Sequence, residues 1–97
     1  MPIMMLMNWY GIRKEQYESL RKTVNWEGNV PKGAIFHVSG FDEAGIHVVD
    51  LWNNAEDFDA FAQTRLMPEV AKLGITSQPN VVICPVHATF TPEYVKK

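Results

Sequence analysis

The sequence predicts an α+β fold: a ferredoxin-like βαββαβ order in which a four-stranded antiparallel sheet carries two main helices on one face. Three observations predict it. Apolar runs too short to be buried helices alternate with amphipathic stretches in the order β, α, β, β, α, β. The two central runs are separated only by Asp42, Glu43, Ala44 and Gly45, as in a hairpin. The last run carries Pro85, which cannot donate to a ladder and therefore suits the edge position that the fourth strand takes in this order.

Each element has its own signal. Ile3 to Trp9 (IMMLMNW) is a short apolar run ending at Tyr10 and Gly11, a first strand. From Arg13 to Val24, Tyr17, Leu20 and Val24 recur at three- and four-residue spacing among charged residues, an amphipathic helix. Gly28, Asn29, Pro31 and Gly33 then punctuate a loop from Asn25 to Gly33. Ala34 to Phe41 and Ile46 to Trp52, rich in β-branched and aromatic residues, form the hairpin. Asn53 is placed to cap a second helix, with Glu56 three residues on as in a capping box and with Phe58, Phe61, Ala62 and Leu66 as its buried stripe. Pro68 interrupts that helix and opens a short turn carrying Val70 and Leu73, which Gly74 stops. The last strand runs from Val81 to about His87.

The strands are apolar at nearly every position instead of alternating, the pattern of strands buried on both faces. Two helices cover one face of such a sheet, so a homodimer is expected, each partner covering the other's second face. At 97 residues there is room for one domain, spanning 1–97, and a lone domain of this size gains from oligomerisation.

Composition excludes several classes. Hydrophobic residues at 46% and charged residues at 21% are the balance of a globular protein, not of a disordered or membrane chain. The net charge is -2, and the nearest thing to a basic cluster (Arg13, Lys14, Arg21, Lys22) is diluted by Glu15 and Glu18, so nucleic acid is not an expected partner. Met1 to Met7 lacks the basic region and cleavage site of a signal peptide, and no segment has the length of a membrane span, so cytoplasmic residence is expected. The single Cys84 sits in the apolar run Val81 to Val86 and reads as a buried structural thiol.

The hairpin register assigns side chains to faces. If Phe41 opposes Ile46, then Ser39 opposes Val48, His37 opposes Asp50 and Ile35 opposes Trp52, and opposed residues share a face. The other face then holds Phe36, Val38, Val49 and Leu51 with His47, a set suited to a dimer core. A carboxylate beside a His fixes the ring tautomer, so His37 with Asp50 has the makings of a general base. The same pair serves equally as a cross-strand bond that specifies register. Trp52 ends its strand and can wall a pocket with Phe58 and Phe61, or fill the core with them. Asn8 is the sole polar residue of strand one and needs a partner or a ligand if buried; His87, after the last strand, can close a pocket mouth. No H-x-x-x-H, C-x-x-C or carboxylate cluster offers metal spacing, no Gly-rich loop precedes a helix, and no G-x-S-x-G elbow occurs. No metal or cofactor is expected.

The segment His37 to Phe61 (HVSGFDEAGIHVVDLWNNAEDFDAF), with Arg65-Leu66-Met67-Pro68 and the closing Pro85-Val86-His87, resembles the dimeric α+β barrel superfamily, in particular its small antibiotic-biosynthesis-monooxygenase-like members of bacteria. The resemblance spans nearly the whole chain. It implies a pocket between sheet and helices in each subunit and a group that includes cofactor-independent oxygenases of phenolic or polyketide substrates, with Trp52 as the pocket tryptophan. The chain departs from two branches of the group. Where the anthrone-oxidising branch carries an Asn four residues before that Trp, this chain has Val48. Asn8 matches an Asn of the haem-degrading branch, yet no His stands between Ala60 and Asn80 to serve as its iron ligand.

Two classes of function follow. One is a cofactor-independent enzyme on an aromatic or enolisable small molecule, a monooxygenase or an acid-base enzyme, with His37 as base, Asp50 orienting it, and Asn8, Trp52, Phe58, Phe61 and His87 about the substrate. The other is a non-catalytic small-molecule-binding or structural homodimer.

Overall fold

A computed structural model describes residues 1–92. Strand β1 (Ile3–Tyr10) leads to helix α1 (Lys14–Val24), then to the hairpin of β2 (Ala34–Asp42) and β3 (Gly45–Trp52). Helix α2 (Ala55–Phe61) passes through a π-helical turn (Ala62–Leu66) into α3 (Met67–Lys72), and β4 (Asn80–Pro85) closes the sheet. The strands lie in the order β2-β3-β1-β4, all antiparallel, so β4 is an edge, as Pro85 demands.

Alternation along β1 and β3 decides where the core lies. Met5, Met7 and Trp9 of β1 and Ile46, Val48 and Trp52 of β3 point to one face, where they meet Leu20 and Val24 of α1, Phe58 of α2 and Val70 of α3. At roughly 1.5–3 kcal/mol per fully buried large side chain, this layer is the main source of stability. The other face is equally apolar yet open in the single chain: Phe36 is 53% exposed, Val38 47% and Val82 54%. Cys84 also points there, opposite Met4, and is half-buried, not the deeply buried thiol the apolar run suggests.

Local chemistry explains the joints. Gln16 Oε1 accepts from the Arg13 N–H at 2.8 Å to start α1, and Asn25 ends it in the left-handed region (φ 58), donating to Arg21 O. Gly33 (φ +84) lets the loop press against Asp57 at the start of α2, where a Cβ would collide with the carboxylate. Its carbonyl accepts from the Asn53 N–H at 2.8 Å. With that amide engaged, the cap of α2 falls one residue later than the sequence reading places it: Asn54 Oδ1, not Asn53, accepts from the Asp57 N–H at 2.8 Å.

Two further expectations shift. Pro68 does not break the helical path; the π turn immediately before it widens the ladder and absorbs the missing N–H, and α3 continues with Pro68 in its first turn. The hairpin keeps the expected register from Phe41–Ile46 through His37–Asp50, but a bulge between Ala34 and Phe36 puts Ala34, not Ile35, opposite Trp52. β4 ends at Pro85, two residues short of His87.

Candidate functional site

A cavity of about 240 Å³ lies between the core face of the sheet and the helices. Its floor is Met5, Met7 and Trp9 of β1 with Ile46 and Val48 of β3; Phe58, Phe61 and Leu66 wall it on one side and Tyr17, Leu20 and Trp26 on the other. The walls are almost wholly apolar, and among the described residues no lysine or arginine lines them. The β2 bulge at its rim re-aims Ile35 and Phe36, both of which reach it.

One hydrogen-bonded chain of polar groups runs along this lining. Asp50 is buried, 7% exposed, and its two carboxylate oxygens are both used: Oδ1 lies 2.7 Å from His37 Nδ1, and Oδ2 accepts from Trp52 Nε1 at 3.0 Å. A carboxylate only accepts, so the neutral imidazole carries its proton on Nδ1 and leaves Nε2 as an acceptor. Nε2 lies 2.9 Å from Tyr17 Oη on α1, and the phenol therefore donates to it. The order is Trp52, Asp50, His37, Tyr17, crossing from the end of β3 over β2 to α1. Charge-assisted bonds to both oxygens offset the cost of burying the carboxylate.

Aromatic packing holds the outer end of the chain. The Tyr17 ring stacks on the His37 ring (6.2 Å between centroids, 6° between planes), and Trp26 leans against both at 5.7 and 5.5 Å. Phe41 meets Tyr17 edge-on at 5.9 Å. Burial pushes the Tyr17 phenol above its ordinary pKa, against the opposing pull of Ser39 and Arg21. At the inner end Trp52 contacts Phe58 and Phe61 at 5.6 and 5.5 Å. Arg65 braces that wall: its guanidinium sits 5.4 Å from the Phe61 ring centroid and donates to the carbonyls of Val24 and Asn29 at 3.0 and 2.8 Å, tying the π turn to the end of α1.

Of the residues singled out in the sequence, His37, Asp50, Trp52, Phe58 and Phe61 come together on this cavity. Asn8 does not. Cavity residues of β1 are odd-numbered, so Asn8 points to the open face, where its Oδ1 lies 2.6 Å from Nδ1 of His47, its cross-strand partner. The pairing of β1 with β3 sets this parity, and no turn joins those two strands to reveal it. His87 is also remote: it is exposed, and the strand order places β4 at the far edge of the sheet from β2, so that no β4 residue lines the cavity. Tyr17 and Trp26 are the residues that sequence reading did not assign to the site. Tyr17 counts there only as part of the apolar stripe of α1; a hydroxyl on an otherwise buried stripe was the available signal. Among the described residues no group of three or more His, Cys, Asp or Glu could hold a metal ion, and no helix is long and apolar enough to cross a membrane.

This architecture, a four-stranded antiparallel sheet with helices on one face, is the fold also found in antibiotic-biosynthesis-monooxygenase-like proteins. SnoaB from Streptomyces nogalater, a cofactor-independent oxygenase, superposes with a TM-score of 0.62 at 15% identity, over 91% of this chain and 94% of its own. Rv0793 from Mycobacterium tuberculosis gives 0.62 at 12% identity, over 94% and 100%. A candidate antibiotic biosynthesis monooxygenase from Chloroflexus aurantiacus gives 0.62 at 12%, over 92% and 97%. The likeness is one of fold, which hosts many chemistries. No family model and no curated protein matches the chain.

Proposed function

We propose that this protein is a small cofactor-independent enzyme acting on an aromatic or enolisable small molecule, with His37 as its base and Asp50 holding the imidazole in the tautomer that the role requires. The observation that carries the reading is the buried Asp50 carboxylate, bonded on one side to His37 at 2.7 Å and on the other to Trp52, beside an apolar cavity. A register-setting ion pair has no need of a cavity, and a purely structural core would be filled by Trp52, Phe58 and Phe61. At about 240 Å³ the space is below the roughly 300–1,000 Å³ of drug-sized ligands, which fits a compact ligand. Proton abstraction by His37 yields a carbanion or phenolate. On a substrate with a second hydrogen at the reacting carbon, that anion adds O2 to form a C–O bond and a peroxide, which takes up a proton and loses water to leave a carbonyl. One oxygen atom stays in the product, the other leaves as water, and the substrate supplies the electrons. Without oxygen the same groups serve an isomerase, cyclase or lyase. SnoaB supplies a precedent for oxygenation without a cofactor on this fold.

The working form is a homodimer, in which the open sheet face carrying Phe36, Val38 and Val82 meets its own copy. Turnover of a panel of phenols and enolisable ketones, with and without oxygen, tests the enzyme reading. Wild type is expected to convert at least one member and His37→Ala to lose at least about 100-fold in rate, the usual contribution of a general base. Equal conversion by both proteins would remove His37 from the reaction.

A further inference from the structure

We infer that the atom which contacts the substrate and exchanges the proton is Tyr17 Oη, and that His37 acts through it. This rests on the reading of the cavity as a small-molecule site. Both ring nitrogens of His37 are already occupied, Nδ1 by Asp50 at 2.7 Å and Nε2 by Tyr17 at 2.9 Å. A ligand that approached Nε2 directly would have to displace a phenol that is stacked on the imidazole and flanked by Trp26 and Phe41. The Tyr17 oxygen, by contrast, donates only one hydrogen, and beside the Ser39 side chain that also pairs with it it keeps acceptor capacity for a further partner.

The transfer balances. A substrate O–H or acidic C–H bond breaks and its proton forms a new O–H bond on Tyr17. In the same step the original phenolic O–H bond breaks and its proton forms an N–H bond on His37 Nε2, while Nδ1–H stays hydrogen-bonded to Asp50. The substrate becomes an anion, the imidazole becomes an imidazolium, and Tyr17 ends as a phenol again. Burial keeps Tyr17 protonated near neutral pH, as a relay must be and a standing phenolate base is not. The imidazolium is the counter-charge for the product anion, since among the described residues no lysine or arginine lines the cavity, and a ligand that enters already anionic faces the Asp50 carboxylate.

The test is binding of 1-naphthol, with naphthalene as the control that lacks the hydroxyl, followed by quenching of the tryptophans that line the cavity. Wild type is expected to bind 1-naphthol more tightly than naphthalene, and Tyr17→Phe, which keeps the stacked ring, to weaken 1-naphthol about fivefold, the value of one neutral hydrogen bond, with naphthalene unchanged. His37→Gln is expected to lower 1-naphthol affinity less than Tyr17→Phe does. If Tyr17→Phe leaves 1-naphthol affinity intact and His37→Gln abolishes the preference, the ligand contacts His37 directly; the relay is then wrong and the enzyme reading stands. If neither change alters the preference, or if wild type binds neither compound, the cavity is not the site and both readings fall.

Discussion

The two faces of the sheet each carry a histidine beside a carboxylate, and the pairs differ in what surrounds them. On the helix face His37 meets Asp50 at 2.7 Å, with the Asp50 side chain 9% exposed, a tryptophan on its second oxygen and a cavity alongside. On the open face His47 Nε2 lies 2.9 Å from Asp42, whose side chain is 59% exposed at the hairpin turn, and its Nδ1 faces Asn8. The residue types are the same; the partner on the second ring nitrogen and the burial are not. In water-screened surroundings an ion pair contributes little, whereas a buried carboxylate that loses a partner leaves an uncompensated group in an apolar wall. Burial, more than residue type, separates a group fit for catalysis from one that secures a turn.

That contrast can be tested at its strongest point by charging the open face. Val38→Asp combined with Val82→Asp, neither of which lines the cavity, places four carboxylates in the proposed dimer interface, and the dissociation constant should rise at least about 100-fold, or ~2.7 kcal/mol. Sedimentation across a concentration series reads it, and an unchanged mass would mean that the face pairs with something other than its own copy. Next comes Asp50→Ala, which strands the His37 and Trp52 donors in the cavity wall. It should cost about 2–4 kcal/mol in urea unfolding, with Asp42→Ala shifting the midpoint far less; equal effects would erase the distinction between the faces.

The smallest expected effect is acid-dependent. The His47 ring, and after it the Ala44 N–H, hold the Asp42 carboxyl below its ordinary pKa. A depressed carboxylate stabilises the fold above its unfolded pKa, and that contribution disappears as pH falls through the lower folded value. Asp42→Asn should therefore flatten the acid limb of the stability profile slightly and leave neutral pH alone. An NMR titration of Asp42 at its ordinary pKa would show that the hairpin pair is not formed in solution.

Much of this molecule was legible in the sequence because its signals are local. Hydrophobic period, turn residues and Pro85 determined the element order and the edge strand. The short turn between β2 and β3 determined a register close enough to put His37 opposite Asp50, since a short hairpin loop leaves little freedom in pairing. What only the tertiary structure decided involves partners distant in sequence. The pairing of β1 with β3 turned Asn8 away from the cavity, because one residue of register reverses every side chain of a strand. The strand order separated His87 from it. The packing of α1 against β2 brought Tyr17 onto Nε2 of His37, and nothing in the period of a helix specifies which strand residue its hydroxyl will meet.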